Sequence, residues 1–122
     1  MKKILIVEDE TPLRGALVSK FTRENFTVLE AKDGMEGLEV AKKDHPDLIL
    51  LDIIMPKIDG LSMLHILRED EWGKSVPVIL LTNLSDAEKV SQATKEGVYD
   101  YLVKSDWHID DVVKKVREKL EQ

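Results

Sequence analysis

The sequence predicts an α/β protein: a single doubly wound domain, with a five-stranded parallel sheet flanked by five helices. Three observations predict this. Strand-like and helix-like patterns alternate from end to end, five of each, with no repeat and no low-complexity tract. Strict alternation is the mark of parallel strands joined by crossover helices. Three of the strand-like runs are solidly apolar, as strands covered on both faces must be. The chain has 122 residues, enough for one domain with a sound core, so the domain is expected to span 1–122.

Each element has its own reason. "KILIV" (3–7) is a short, unbroken apolar run. In "TPLRGALVSKFTREN" (11–25), Leu13, Ala16, Leu17 and Phe21 fall on one helical face. Thr11 suits the N-cap and Pro12 the first helical position, where a missing N–H costs nothing. "FTVLEA" (26–31) alternates, as an edge strand does. Asp33-Gly34 makes a turn. "MEGLEVAKKD" (35–44) is a second helix, with Met35, Leu38 and Ala41 expected inward. "DLILL" (47–51) is again solidly apolar, and "LSMLHILRED" (61–70) is a third helix. "VPVILL" (76–81) is a strand with Pro77 near its start, the tolerated place. "SDAEKVSQATKEG" (85–97) opens with the capping box Ser85-x-x-Glu88 and closes on Gly97. "YDYLV" (99–103) is the last strand. "IDDVVKKVREKL" (109–120) carries Ile109, Val112, Val113, Val116 and Leu120 at helical spacing.

Composition excludes several classes. The chain is 43% apolar and 34% charged, which fits a globular, soluble protein. Without cysteine there is no disulfide framework and no thiolate metal site. Met1-Lys2-Lys3 leads into too short an apolar run for a signal peptide, and no run reaches membrane-spanning length. The expected location is the cytoplasm, with no membrane contact. A net charge of −6 repels nucleic acid, so no direct nucleic-acid partner is expected.

In a parallel sheet the carboxyl ends of the strands share one edge, and ligands bind there. The first strand ends in Glu8-Asp9, the third in Asp52, the fourth in Thr82 and the fifth in Lys104. Asp52 closes the apolar run "LILL", and a buried carboxylate is costly unless paired or coordinated. Three acids brought together repel one another and ask for a cation. Oxygen-only ligands, with no His or Cys, suit Mg²⁺. His45, His65 and His108 lack metal-ligand spacing and are read as surface or cap residues.

Taken together, Glu8-Asp9 after the first strand, "DIIMPKIDG" at 52–60, Thr82 after the fourth strand and "YLVK" at 101–104 resemble the receiver domain of two-component response regulators. The resemblance spans all 122 residues. It implies a flavodoxin-like sheet in the order 2-1-3-4-5. It implies that Asp52 accepts a phosphoryl group from a phosphohistidine on a partner histidine kinase or phosphotransfer protein. Asp9 and Asp52 would hold Mg²⁺ (or Mn²⁺), with the backbone carbonyl of Ile54 as a further ligand and Glu8 in the acidic pocket. Lys104 and Thr82 would contact the phosphoryl group, and the Tyr101 side chain would follow Thr82 inward. The switched surface would be helix 85–97, strand 99–103 and helix 109–120. That surface would address a downstream effector protein or an attached effector domain, or pair two phosphorylated copies of an otherwise monomeric chain. No activity is expected beyond Mg²⁺-dependent self-phosphorylation and slow self-dephosphorylation.

The chain departs from the family pattern in places. Ser105 stands where the family has a cis proline, and a trans Lys104–Ser105 bond is expected. Asn83 replaces a small residue after Thr82. Ile54 and Leu84, which flank the expected path of an attacking water, are both apolar, and slow hydrolysis of the aspartyl phosphate is expected from them. Rival readings do less well. An aspartyl phosphatase wants a second Asp where Ile54 stands, and a flavin phosphate carrier wants a Gly/Ser/Thr-rich loop where "EDETP" stands. The remaining alternative is a pseudo-receiver, a protein-interaction module that is never phosphorylated.

Overall fold

An unbroken apolar strand can satisfy both of its faces only by sitting between two layers of helix, and the computed structural model has this form. It describes residues 1–53, 59–82, 87–104 and 108–121, and of Ala87 the backbone alone. Among them lie five strands: β1 (Lys3–Val7), β2 (Thr27–Ala31), β3 (Leu48–Asp52), β4 (Val78–Thr82) and β5 (Asp100–Val103). The helices are α1 (Thr11–Arg23), α2 (Gly34–Asp44), α3 (Gly60–Glu69), α4 (Ala87–Lys95) and α5 (Ile109–Leu120). All neighbouring strands are parallel, in the order β2-β1-β3-β4-β5, as the receiver resemblance implies.

Period-two alternation splits each central strand between two cores. Leu5, Val7, Ile49, Leu51, Val78 and Leu80 face one layer, where Leu38 of α2, Met63, Leu64 and Leu67 of α3 and Ala93 of α4 meet them. Ile4, Ile6, Leu48, Leu50, Ile79 and Leu81 face the other, against Leu17 and Phe21 of α1 and Val112, Val113 and Val116 of α5. A fully buried side chain of this size contributes about 1.5–3 kcal/mol.

Two inward assignments fail, for one reason. Met35 is 52% exposed, and Ala16 is exposed as well. The buried face of α2 is Gly34, Gly37, Leu38 and Ala41. At about 100° per residue, Met35 sits about 110° from the middle of that face, and Ala16 about 120° from the midpoint of Leu17 and Phe21. The glycines that centre α2 carry no hydropathy to reveal them. A Cβ on Gly37 would stand 3.0 Å from Val7 Cγ2 and 3.1 Å from Met63 Cε and Sδ, so a bare Cα lets α2 lie close to β1 and α3.

Helix ends follow local chemistry. Glu10, with extended backbone, is the N-cap of α1, and Thr11 and Pro12 fill its first two positions, one place later than expected. Asp33 caps α2 by accepting from Glu36 N at 2.9 Å. Asp59 caps α3 through Ser62 N at 2.8 Å. His108 caps α5, and Asp111 accepts from its N–H at 2.9 Å. His45 ends α2 in the left-handed region, φ 46°, with its ring stacked on Trp72. Gly97, φ 86°, follows α4. The capping role of Ser85 lies outside the described residues.

One side chain fastens the ends of several segments. On α3, the half-buried guanidinium of Arg68 donates to four carbonyls. Nε donates to Glu96 O (3.0 Å), Nη1 to Gly73 O (2.6 Å) and Val76 O (2.8 Å), and Nη2 to Gly97 O (2.5 Å). Beside it, His65 Nδ1 meets Glu96 Oε1 at 2.8 Å.

Candidate functional site

The site is assembled by strand register. β1 pairs Val7 with Leu51 of β3, β3 pairs Asp52 with Leu81 of β4, and β4 pairs Thr82 with Val103 of β5. Asp52 and Thr82 therefore end β3 and β4 while Glu8 and Lys104 stand one residue past β1 and β5, and the four lie side by side. The last step is closed by Lys104 N, which donates to Thr82 O at 2.7 Å.

Burial is extreme for such polar groups: Glu8 is 0%, Thr82 1% and Asp52 4% exposed. Carboxylate oxygens of Glu8, Asp9 and Asp52 lie within 4.8 Å of one another. Lys104 Nζ reaches Glu8 Oε1 at 3.0 Å, Asp52 Oδ2 at 3.2 Å and Glu10 Oε1 at 3.8 Å. Burial pushes the Asp52 carboxyl up to about 8, the Glu8 charge pushes the same way, and Lys104 opposes both. For Lys104, burial works against the charged form, but Asp52 and Glu8 outweigh it and hold the ammonium above its ordinary range.

With three carboxylates against one ammonium, the fully ionised cluster carries a charge of −2 (−3 + 1). Glu8 Oε1, fully buried, accepts no hydrogen bond of normal geometry although Lys104 Nζ is close. A small, oxygen-only cluster with a −2 surplus, its three acids served by one ammonium, fits a hard divalent cation such as Mg²⁺.

The backbone around Asp52 is held from the far side. Gly60 N donates to Ile53 O at 2.7 Å. A Cβ on Gly60 would fall on the Asp52 carbonyl oxygen and 2.7 Å from Ile53 Cα. Gly60 opens α3, and what it supplies is room for the helix to press on the strand end.

Glu8, Asp9, Asp52, Thr82 and Lys104 thus come together as expected. Tyr101 lies on β5 opposite Leu80 and is 46% exposed. The Ile54 carbonyl, Pro56, Asn83, Leu84, Ser105 and Trp107 lie outside the described residues. Two residues of the site were missed. Glu10 reaches Lys104, and Arg14 Nη1 donates to Glu8 O at 2.8 Å. A signal for Arg14 was available. The first turn of α1 holds no acid, so a cation just beyond it opposes the helix dipole and must serve something else. Among the described residues, no helix is long and apolar enough to cross a membrane.

Comparison with known proteins gives a consistent result. The sequence profile of the response regulator receiver domain matches residues 4–117. The "Probable transcriptional regulator ycf27" of Porphyridium aerugineum is 38% identical over 103 residues, covering 84% of this chain and 42% of the relative. The "DNA-binding dual master transcriptional regulator RpaA" of Synechocystis is 32% identical over 117 residues, 96% of this chain and 48% of the relative. The chain therefore spans less than half the length of these relatives. Among solved structures, the receiver domain of Francisella response regulator 1452 superposes with a TM-score of 0.86 at 32% identity, covering 96% of this chain and 94% of that one. Vibrio cholerae chemotaxis protein CheY4 gives 0.89 at 27%, covering 97% and 98%.

Proposed function

Because the chain belongs to the response regulator receiver family, we propose that it is a phosphoacceptor in two-component signalling, with Asp52 as the acceptor. The observation that carries this is the placing of Asp52. It is a buried carboxylate at the end of a central strand, 3.2 Å from the Lys104 ammonium and beside two further acids. Phosphoryl transfer needs positioning and charge neutralisation more than covalent chemistry, and this site is built for both.

The carboxylate oxygen of Asp52 not held by Lys104 attacks the phosphorus of a phosphohistidine on a partner histidine kinase or phosphotransfer protein. The P–N bond breaks as the O–P bond forms, and the electron pair stays on the imidazole nitrogen, which takes up a proton. Lys104 moves from the Asp52 oxygen toward the phosphoryl oxygens, and the Thr82 hydroxyl donates to another. Glu8, Asp9 and Asp52, with the Ile54 carbonyl, would hold Mg²⁺ or, in its place, Mn²⁺. The bound ion supplies positive charge to the phosphoryl oxygens.

The product adds about −1.5 to −2 charges at the site. Thr82 leads toward α4 and Lys104 directly follows β5, so the surface that responds is α4, β5 with Tyr101, and α5. It addresses a downstream effector protein or an attached effector domain, or pairs two phosphorylated copies. Relatives named as transcriptional regulators support an output in gene control. The net charge of −6 argues that any nucleic-acid contact belongs to that effector. Self-phosphorylation and slow hydrolysis are the only reactions assigned to the domain, and its soluble character fits the cytoplasm.

The test is intact-mass measurement after exposure to a small acyl phosphate, with and without Mg²⁺. Wild type should gain one phosphoryl group only with Mg²⁺, and Asp52→Asn should gain none. Labelling of Asp52→Asn at the wild-type rate would refute the assignment. A wild type that never labels would favour a pseudo-receiver.

A further inference from the structure

β1 ends at Val7, and the next residue is the most deeply buried acid of the site. Its N–H still donates to Ala31 O of β2, at 3.1 Å. Its carbonyl stands beyond the last paired residues of β1, and there Arg14 of α1 donates from Nη1 at 2.8 Å. The same guanidinium donates from Nε to Glu30 Oε1 of β2 at 3.2 Å, with the Arg14 side chain 16% exposed. One planar fork therefore braces α1, the strand-to-helix turn and the edge strand. The Glu8–Asp9 peptide is planar. Fixing its oxygen fixes the peptide plane and so the placing of the Asp9 N and Cα, which leaves the φ of Asp9 as the one backbone torsion that still turns its Cα–Cβ bond.

We propose that Arg14 is a positioning residue for the acidic pair Glu8-Asp9, setting the direction of Asp9 toward a divalent cation. This rests on the reading of the acidic cluster as a Mg²⁺ site. Position and charge make opposite predictions here. Removing a cation beside a cation site should, by charge alone, tighten Mg²⁺ binding. Loss of positioning should weaken it. Lys at 14 keeps the charge but lacks the two-pronged planar fork, so by charge alone it should change nothing.

The experiment compares wild type, Arg14→Gln, Arg14→Lys and Glu30→Gln. Mg²⁺ is titrated by calorimetry, and backbone amide NMR shifts are recorded for the metal-free proteins. Groups that hold a metal's ligands in place typically govern metal affinity by about 10–100-fold. At this partly exposed site Arg14→Gln should weaken Mg²⁺ about tenfold and Arg14→Lys by several-fold. Both should shift the metal-free amide signals of Asp9 and Glu10. Glu30→Gln, which leaves the carbonyl bond in place, should do little. Tighter binding in Arg14→Gln with Arg14→Lys unchanged, or unmoved Asp9 and Glu10 signals, would overturn the proposal. If Arg14→Gln does not fold, Arg14→Lys decides. If wild type binds no Mg²⁺ at millimolar concentration, the metal reading fails, while the metal-free amide signals still judge Arg14.

Discussion

Replacing Asp52 by Asn should stabilise the metal-free protein. Asp52 is buried beside Glu8, and the two share one ammonium at 3.2 and 3.0 Å. Folding raises the Asp52 carboxyl from 3.8 to about 8, first through burial and then through the Glu8 charge. The sign follows from linkage. Below about pH 4 the group is protonated in both folded and unfolded chains and costs nothing. As pH rises from about 4 to 8, the unfolded chain releases the proton and the folded one resists, so stability is lost over that window. At about 1.4 kcal/mol per pH unit, the interval from 3.8 to pH 7 sets a ceiling of about 4 kcal/mol. Local relaxation and water at the open edge reduce the realised gain to about 1–3 kcal/mol. Asn keeps the shape and leaves Lys104 paired with Glu8. At about 3–5 °C per kcal/mol for a chain of this size, Asp52→Asn should melt about 3–15 °C higher at pH 7 without divalent ions. The assay is thermal unfolding followed by circular dichroism, from pH 4.5 to 8, with and without Mg²⁺. The gap should narrow at low pH, and narrow again with Mg²⁺, which stabilises wild type through binding. An Asn variant less stable than wild type at pH 7, or a gap indifferent to both pH and Mg²⁺, would refute the reasoning.

Two further outcomes follow from the same geometry. Lys104→Met leaves the acids without their ammonium, so metal-free stability at pH 7 should fall by about 2–4 kcal/mol in urea unfolding, with most of the loss recovered by Mg²⁺. Gly60→Ala puts a Cβ onto the Asp52 carbonyl and 2.7 Å from Ile53 Cα. It should cost about 1–3 kcal/mol and slow acyl-phosphate labelling, because the backbone that must yield carries Asp52.

Much of this was legible before the structure. Solid apolar runs such as "LILL" demand cover on both faces, and parallel strands force Glu8, Asp52, Thr82 and Lys104 onto one edge whatever the details of packing. What escaped is what hydropathy cannot carry. Gly34 and Gly37 turn α2 about its axis because they have no side chain, and Met35 is turned outward with them. Gly60 lies one place before the expected third helix, and its purpose shows only once α3 is seen pressed on Asp52. Glu8 read as an accessory to the pocket, yet its side chain is the one held against Lys104 at the shortest distance. Glu10 and Arg14 act through long side chains that reach across elements, and local sequence patterns are blind to such reach.

The Arg68 anchorage has a mechanical consequence. Two of the four carbonyl bonds, to Glu96 and Gly97, and the His65–Glu96 pair fasten the chain at the end of α4, whereas along the helix Ala93 is the only fully buried side chain among the described residues. A rod tied firmly at one end and resting lightly elsewhere has one cheap motion, a swing with Gly97 as fulcrum. The nine residues of α4 make an arm of about 13 Å, so a swing of about 15° displaces the far end by ~3 Å. That far end follows β4 and lies toward the Asp52 edge, while the fulcrum lies at the opposite edge of the sheet. On the phosphoacceptor reading, sub-ångström movements near Asp52 would act on the long arm, where the least force yields the largest change in surface shape.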